Sequence, residues 1–245
     1  MLSISILDVK LNPISMNDAV GWLNSQLASR RQTLVITANA EIIMMAQNDH
    51  SYFDLVNGAE LVLPDGAGTV WAGRNLGYNV PERVAGYDLF HRLLALAAQE
   101  GKSVYFFGGK PGVAETAAKK AQQLYPGLKI AGCHHGYFKE EDNRDIINNI
   151  NQSGAELLFA ALGAPKQEYW LHDHREQLQP DILMGIGGSF DVISGNVKRA
   201  PLWMQKSGLE WLYRLIKEPF RFKRMASTLP FFVIKVLRSK TSISE

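Results

Sequence analysis

This sequence of 245 residues is poor in cysteine and contains no long apolar run. Its one cysteine, Cys133, excludes an intramolecular disulfide and a zinc site built from cysteines, so we expect a reducing compartment such as the cytosol. No stretch approaches about eighteen apolar residues, which argues against a conventional membrane-spanning helix. The segment MLSISILDVK lacks a basic region followed by an apolar run, so we expect no signal peptide.

Motifs that carry metal or dinucleotide chemistry are also absent. No two aspartates are separated by one residue, so the D-x-D element with which many sugar-nucleotide transferases hold a divalent metal is missing. The histidines form neither H-E-x-x-H nor a spaced Cys/His set. Neither a Walker A sequence nor G-x-G-x-x-G occurs. We therefore expect no bound metal and no cofactor.

Positive charge is concentrated near the carboxyl end. The residues from Lys198 to Lys240 contain eleven Lys or Arg and two acids, whereas the rest of the chain contains fifteen bases and twenty-two acids. Tryptophan, tyrosine and phenylalanine are interspersed among these bases, as in the piece FFVIKVLRSK, which is too short to span a bilayer. Mixed basic and aromatic character is typical of a helix lying on a membrane, although a nucleic-acid backbone would attract the same charges.

Strand-like and helical patterns alternate over most of the chain. After a short strand or hairpin at residues 3–11, buried strands are predicted at LVITA, ELVLP, SVYFFGG, KIAGC, ELLFAALG and DILMGIGG. Helical segments between them predict a parallel sheet with helices on both faces. After Gly195 the pattern becomes helical. We therefore predict a Rossmann-like α/β domain over residues 1–195 and a basic, aromatic helical appendage over residues 196–245.

Polar loops follow several predicted strands, where parallel sheets bind their ligands. Asp65 ends ELVLP beside a glycine, so it could act as a general base or cap the next helix. The turn FFGGKPG presents bare amides that suit a diphosphate, or it is a plain tight turn. Asp191 follows the last strand, where it could contact a ligand or brace the glycine turn before it.

Five ordered sequence blocks carry a resemblance to a known family. They are TANAE, PDG, ERVAG, LLFAALGAPKQE and ILMGIGGSFDVISGNVKRAP, and together they extend over nearly the whole chain. In these blocks the sequence resembles the WecG/TagA/CpsF glycosyltransferases. The resemblance implies an inverting, metal-independent transfer of N-acetylmannosamine or a related sugar from UDP to a polyprenyl-diphosphate-linked acceptor.

The resemblance also implies roles for individual residues. Asp65 matches the proposed catalytic base, and Gln167 matches an active-site glutamine. Thr37 and Asn39 would orient hydroxyl groups of the sugar or acceptor, and Asp191 would hold the ribose or uracil. The other positions assigned to substrate binding are Gly66, Gly108, Gly109, Tyr137, Gly163, Pro165 and Gly187.

Without a metal, the charge of the departing diphosphate must be met by basic side chains and backbone amides. Arg83 is assigned to this catalytic role, and Arg214, Arg221 and Arg224 are assigned to substrate binding. A surface or structural ion pair is the alternative for Arg83. For the other three arginines the alternative is a solvated helix face.

A lipid-linked acceptor would place the protein at the inner face of the cytoplasmic membrane as a peripheral enzyme of teichoic acid or related surface-polymer synthesis. The expected partners are then a UDP-sugar, the polyprenyl-diphosphate acceptor and the membrane surface, without nucleic acid. An alternative donor is the uronic acid of the same sugar. A nicotinamide-dependent oxidoreductase would share the β/α alternation, and a nucleic-acid-binding module would explain the basic segment but not the polar loops.

Overall fold

A six-stranded parallel sheet lies at the centre of the structure. The computed structural model describes residues 2–217 and 222–243, apart from the side chains of residues 206, 214, 217, 222–227 and 240–243. The sheet has the order β4-β3-β8-β7-β5-β6, and each neighbouring pair is parallel. Its strands are β3 (Thr33–Ala38), β4 (Leu61–Pro64), β5 (Ser103–Gly108), β6 (Lys129–His134), β7 (Leu157–Ala161) and β8 (Ile182–Gly185).

A small antiparallel hairpin precedes the sheet. Its strands are β1 (Ile4–Ile6) and β2 (Val9–Leu11), which confirms the hairpin expected at residues 3–11. The next helix, α1 (Met16–Ala28), begins with a capping box in which the hydroxyl of Ser15 accepts a hydrogen bond from the amide of Asp18 at 3.1 Å. The amphipathic pattern of this helix then buries one face against the sheet.

Helices cover both faces of the sheet, which confirms the predicted Rossmann-like α/β architecture. One face packs against α2 (Ala40–Asn48), α3 (His50–Gly58), α4 (Gly66–Asn75), α7 (Asn143–Gln152) and α8 (Lys166–Asp173). The other face packs against α1, α5 (Gly86–Gln99), α6 (Val113–Leu124) and α9 (Ser189–Ile193). The strands are buried on both sides, which explains why their sequences are almost continuously apolar.

An aromatic cluster fixes α5 and α9 on the sheet. Phe90 of α5 lies 4.8 Å from Phe159 of β7, measured between ring centroids, in an edge-to-face arrangement. Phe190 of α9 stacks on Phe106 of β5 at 4.6 Å. Aromatic pairs of this kind add to the stabilisation that burial itself provides. The first turns of both helices are therefore held firmly at the carboxyl edge of the sheet.

The carboxy-terminal part is helical, as predicted. It consists of α10 (Leu202–Lys206), α11 (Glu210–Lys217) and α12 (Phe222–Ile243), which continues through Pro230 as one helix. Helix α12 packs on α2 and α4, and it buries Phe232 and Val236 in the core. The boundary at residue 195 stays a prediction. In the described part of the chain, no helix has both the length and the apolar character needed to cross a membrane.

Candidate functional site

Two adjoining cavities open beyond the carboxyl ends of the parallel strands. The first has a volume of about 300 Å³ and is bordered by the loops after β3, β7 and β8; we call it the polar cavity. The second has a volume of about 670 Å³ and lies between the beginnings of α2 and α4 and the helices α11 and α12; we call it the apolar cavity. Cavities of this size at this edge of a parallel sheet are typical ligand sites.

Most of the residues predicted from the strand loops border the polar cavity. They come from four separate segments of the chain, which meet because the ends of parallel strands share one edge of the sheet. These residues are Thr37, Asn39, Asp65, Gly163, Gln167, Gly187 and Asp191. The carboxy-terminal part contributes Lys198, Arg199 and Tyr213 to the same cavity.

The apolar cavity has a different character. Its wall on the side of the carboxy-terminal helices consists mainly of Trp211, Leu229, Pro230, Val233 and Ile234. The predicted residues Gly66 and Arg83 border it from the opposite side. A cavity with one apolar wall and a charged rim suits a ligand that joins a hydrocarbon part to a polar group.

The polar and apolar cavities share one partition. Asn39, Glu41, Asp65, Tyr87 and Arg199 border both of them. Two carboxyl groups, those of Asp65 and Glu41, therefore lie where a ligand in one cavity would meet a ligand in the other. A proton acceptor at such a junction can serve a reaction between two bound molecules.

Asp65 directly follows β4 and precedes α4, but its side chain does not cap that helix. Instead its Oδ2 accepts a hydrogen bond from the amide of Gly86, the first residue of α5, at 3.2 Å. The alternative prediction, that the side chain of Asp65 caps α4, is therefore wrong. The hydrogen bond from an ordered helix amide orients the carboxylate.

Thr37 and Gly86 pack tightly beside this carboxylate. A β-carbon built on Gly86 would lie 2.6 Å from the hydroxyl oxygen of Thr37, closer than such atoms approach in proteins. Only glycine therefore allows the first turn of α5 to lie against the end of β3. The close approach brings the hydroxyl of Thr37 and the amide that holds Asp65 to the same corner of the polar cavity.

Gln167 connects two glycine loops beneath the polar cavity. Its Oε1 accepts hydrogen bonds from the amides of Gly163 at 3.2 Å and Gly187 at 2.9 Å. Its Nε2 donates to Oε1 of Glu168 at 2.7 Å. Burial raises the pKa of Glu168, and the hydrogen bond from Gln167 works against that rise. This arrangement fixes the shape of the loops after β7 and β8, and Gly185 leaves the space that the Gln167 amide needs.

Two other predicted residues, Asn39 and Asp191, take part in local hydrogen bonds at the ends of helices. Asn39 caps α2, since its Oδ1 accepts a hydrogen bond from the amide of Ile42 at 3.0 Å. Asp191 lies in α9, where its carbonyl oxygen accepts hydrogen bonds from Val197 at 3.0 Å and from the hydroxyl of Ser194 at 3.1 Å. Both residues still border the polar cavity, so their assignment to substrate binding stays a prediction.

Arg83 lies in an ion pair at the rim of the apolar cavity. Its Nη1 is 3.5 Å from Oε2 of Glu210, at the start of α11. The other oxygen of Glu210 accepts a hydrogen bond from Nε of Arg199 at 3.2 Å. The ion-pair alternative for Arg83 is thus present in the structure, but the pair lies within the site and not on a remote surface.

Some predicted site residues lie elsewhere. Gly108 ends β5 and Gly109 follows it, where the amide of Gly109 donates to the carbonyl of Ala161 at 2.9 Å. Neither glycine borders the polar or the apolar cavity. Tyr137 is exposed in the loop after β6, and Pro165 immediately precedes α8. Arg221 lies outside the described residues, as do the side chains of Arg214 and Arg224. The roles assigned to these residues stay predictions.

Several residues of the site were not predicted. Glu41 lies in the block TANAE and Glu168 in APKQE, so the sequence offered a signal for both. Tyr87 directly follows ERVAG, and Arg199 lies in VKRAP. No local pattern distinguishes Glu210, Trp211 or Tyr213 from other residues on the carboxy-terminal helices.

Among residues 2–217 and 222–243, no group of three or more His, Cys, Asp or Glu side chains is arranged to hold an ion. Asp65 and Asp191 both border the polar cavity, with no third ligand of that kind grouped with them in the described part. The expectation that the protein works without a metal stays a prediction.

Comparison with known proteins identifies relatives over most of the chain. The model of the glycosyl transferase WecG/TagA/CpsF family matches residues 4–245, which confirms the resemblance carried by the five sequence blocks. The N-acetylglucosaminyldiphosphoundecaprenol N-acetyl-beta-D-mannosaminyltransferase of Bacillus subtilis (strain 168) is 40% identical over 207 residues, covering 84% of this chain and 80% of that protein. A protein of the same name from Bacillus spizizenii (strain ATCC 23059 / NRRL B-14472 / W23) is 39% identical over 212 residues, covering 86% and 81%.

Proposed function

The chain belongs to the WecG/TagA/CpsF glycosyltransferase family, and on that premise we propose that it transfers N-acetylmannosamine from a UDP-linked donor to N-acetylglucosaminyldiphosphoundecaprenol. Such a transfer is a step in the synthesis of teichoic acid or a related surface polymer. The observation that carries the proposal is the partition between the polar and apolar cavities, where Asp65 borders both.

The two cavities match the two substrates in chemistry. The polar cavity combines the side chains of Thr37, Asn39 and Asp191, which suit hydroxyl groups, with Lys198, which suits the phosphate groups of a nucleotide sugar. The apolar cavity has the wall of Trp211, Leu229 and Val233 that the first units of a prenyl chain would contact. The acceptor sugar would then lie at the shared partition.

The reaction proposed at this partition is a single inverting displacement. The carboxylate of Asp65 takes the proton of the acceptor 4-hydroxyl while that oxygen attacks the anomeric carbon of the donor sugar. The bond between the anomeric carbon and the β-phosphate oxygen breaks, and UDP leaves with that electron pair. The hydrogen bond from the amide of Gly86 keeps the carboxylate oriented at the partition.

An assay with a short-chain, water-soluble acceptor tests this function. The protein is incubated with UDP-N-acetylmannosamine and a prenyl-diphosphate-linked N-acetylglucosamine, and the product is identified by its mass together with release of UDP. The uronic acid form of the donor sugar is assayed in parallel, since the two donors differ by one carboxylate. Transfer of neither sugar under conditions where the protein is folded would contradict the proposal.

Nucleotide protection separates this function from a nicotinamide-dependent oxidoreductase. A ligand that binds only the native state raises the midpoint of thermal unfolding, and the rise grows with the ratio of ligand concentration to dissociation constant. We expect UDP to raise the midpoint and NAD to leave it unchanged. The opposite pattern would favour the oxidoreductase, which would share the same β/α alternation.

We expect the transfer to survive EDTA. The sequence contains no D-x-D element, so the charge on the departing diphosphate is assigned to guanidinium groups and backbone amides. Initial rates measured in EDTA, in magnesium and in manganese provide the comparison. If chelation abolishes transfer and either metal restores it, Asp65 and Asp191 become the candidate carboxylate ligands.

We also infer that the carboxy-terminal helices lie on the membrane that holds the acceptor. Leu202, Trp203, Ile216, Phe231 and Leu237 are exposed large apolar side chains on these helices. Exposed apolar groups of this size, mixed with lysine and arginine, suit the boundary between lipid headgroups and acyl chains. Trp211, Val233 and Ile234 of the same helices are exposed and also line the apolar cavity, so a prenyl chain could enter it from the bilayer.

Charge reversal at Lys235 and Arg238 should weaken binding to anionic vesicles. Each basic charge near such a surface contributes about 1 kcal/mol, and added salt should reproduce the loss by screening. The measurement is vesicle sedimentation of the Lys235→Glu/Arg238→Glu variant. Its control is Lys119→Glu/Arg144→Glu, which makes the same change in net charge at exposed positions of α6 and α7. Equal losses in both variants would mean that binding depends on total charge and not on this surface.

A further inference from the structure

An alternating chain of charges joins the carboxy-terminal part to the first turn of α5. Asp88 in α5 receives two hydrogen bonds from the guanidinium group of Arg199, with Nη2 and Oδ2 separated by 2.9 Å. The same guanidinium reaches Glu210, and Glu210 reaches Arg83. Acidic and basic side chains therefore alternate along this chain. Asp88 lies on α5, and Arg83 lies in the loop before α5. Arg199 lies before α10, and Glu210 is the first residue of α11.

Three of the four members of this chain of charges are largely shielded from water, whereas the side chain of Asp88 is 41% exposed. The side chains of Arg83, Arg199 and Glu210 are 22%, 17% and 12% exposed. The guanidinium carbon of Arg199 also lies 4.5 Å from the ring centroid of Tyr87, which borders both cavities. Shielded pairs of this kind depend on both partners, because removal of one leaves the other charge buried and unpaired.

The two hydrogen-bonded carboxylates keep Arg199 charged. Burial alone would lower its pKa, but the hydrogen bonds to Asp88 and Glu210 outweigh burial and raise the pKa above its ordinary value. All of the described polar contacts of this side chain are made to protein carboxylates. Arg199 therefore lies at the partition between the two cavities with each of its three guanidinium nitrogens hydrogen-bonded to a protein carboxylate.

The same turn of α5 also holds the proposed base. The amide of Gly86 donates to Asp65, and Asp88 stands two residues further along the helix. Any displacement of this turn moves the hydrogen-bond donor of Asp65 together with the carboxylate that holds Arg199. The carboxy-terminal helices, Arg83 and Asp65 are thus connected through one turn of backbone.

We propose that Arg199 and Glu210 are positioning residues of the transfer reaction. They fix the carboxy-terminal helices on the first turn of α5. They thereby hold the Arg83 guanidinium in place at the rim of the apolar cavity and the Asp65 carboxylate in place at the partition. Neither residue needs to contact a substrate for this effect. The inference rests on the proposed transfer, because Asp65 and Arg83 act in that reaction.

Steady-state kinetics with the soluble acceptor tests the proposal without a membrane. Arg199→Ala and Glu210→Gln should each lower kcat at least about tenfold and leave the KM for the UDP-sugar within about threefold, because the loops held by Gln167 are unaffected. Arg199→Lys should keep only part of kcat, since a lysine cannot bridge two carboxylates with a planar fork. The kcat of the double variant Arg199→Ala/Glu210→Gln should be about the same as that of the slower single variant. The two losses should not multiply, because both substitutions break the same network.

Arg175→Ala is the matched control. Arg175 also pairs with a glutamate, Glu60, at 2.9 Å, but this pair lies near the amino-terminal ends of β3 and β4. The control should keep kcat within about twofold of the wild-type value. If Arg199→Ala and Glu210→Gln also keep the wild-type kcat, or if their losses multiply in the double variant, the proposed positioning role is wrong.

Limited proteolysis provides a readout that does not depend on activity. The carboxy-terminal helices should be cleaved from the Arg199→Lys and Glu210→Gln variants faster than from the wild type and the control, because fewer bonds hold them to α5. Equal cleavage rates would overturn the proposal even if kcat fell. If the wild-type protein transfers no sugar, the proposed function fails, and the proteolysis comparison then decides by itself whether these contacts hold the helices.

Discussion

The Asp65→Asn variant should lose transfer by about 10²- to 10⁴-fold, the usual cost of removing a general base. An asparagine at this position keeps the shape of the side chain, and its oxygen can still accept the hydrogen bond from Gly86. It cannot take the proton of the acceptor hydroxyl at neutral pH. We therefore expect the affinity for UDP to stay nearly unchanged, which calorimetry on the same protein sample measures.

Glu41→Gln is the control that the structure provides for this experiment. Glu41 is the other carboxylate that borders both cavities, and its substitution removes one charge in the same way. We expect a smaller loss of turnover, because the amide of α5 orients Asp65 and not Glu41. Near-normal turnover of a folded Asp65→Asn protein, with a large loss in Glu41→Gln, would transfer the role of base to Glu41.

The sequence predicted the sheet and the polar cavity well because both depend on short-range patterns. Strands buried on both faces must be almost continuously apolar, and each such run marks a strand without knowledge of its neighbours. The polar residues directly after β3, β4, β7 and β8 then meet at one edge, whatever the strand order within the sheet. This pattern assigns Asp65, Gln167 and Asp191 to one site, whereas Thr37 is assigned to it by the family resemblance.

The strand order itself could not be read in the same way. In the structure β8 lies between β3 and β7, so the loops after β5 and β6 are displaced along the edge from the polar cavity. This order results from how helices and strands pack over long distances in the chain. For that reason Gly108, Gly109 and Tyr137 satisfied the local pattern of a ligand loop and yet lie outside the two cavities.

The contacts between the carboxy-terminal part and the core could not be predicted from the sequence either. Arg199 and Asp88 are 111 residues apart, and neither stands out among the charged residues around it. From the sequence alone, the apolar residues of FFVIKVLRSK are predicted to lie together on a membrane. The helix divides them, because Phe232 and Val236 face the core whereas Phe231 and Leu237 are exposed. Whether one helix face meets protein or lipid depends on the partner surface, which the sequence of the helix does not contain.

Truncation after Gly195 should abolish most of the transfer while leaving a folded α/β core. The deletion removes Arg199 and Tyr213 from the polar cavity and the whole apolar wall that α11 and α12 supply. It also removes the partner that holds Arg83, so we expect a loss of at least about 10²-fold, comparable with removing a preorganised electrostatic contact. The core should be less stable, because α12 no longer covers α2 and α4.

The acceptor used in this experiment decides what the loss means. With a membrane-bound acceptor, a missing membrane contact and an incomplete active site would both abolish transfer. With the water-soluble acceptor and no membrane, only the incomplete site remains as a cause, because lipid no longer takes part. Full turnover of the truncated protein under that second condition would mean that the carboxy-terminal part serves the membrane alone. Arg83 and Asp65 would then be positioned by the core itself, since the contact between Gly86 and Asp65 lies entirely within it.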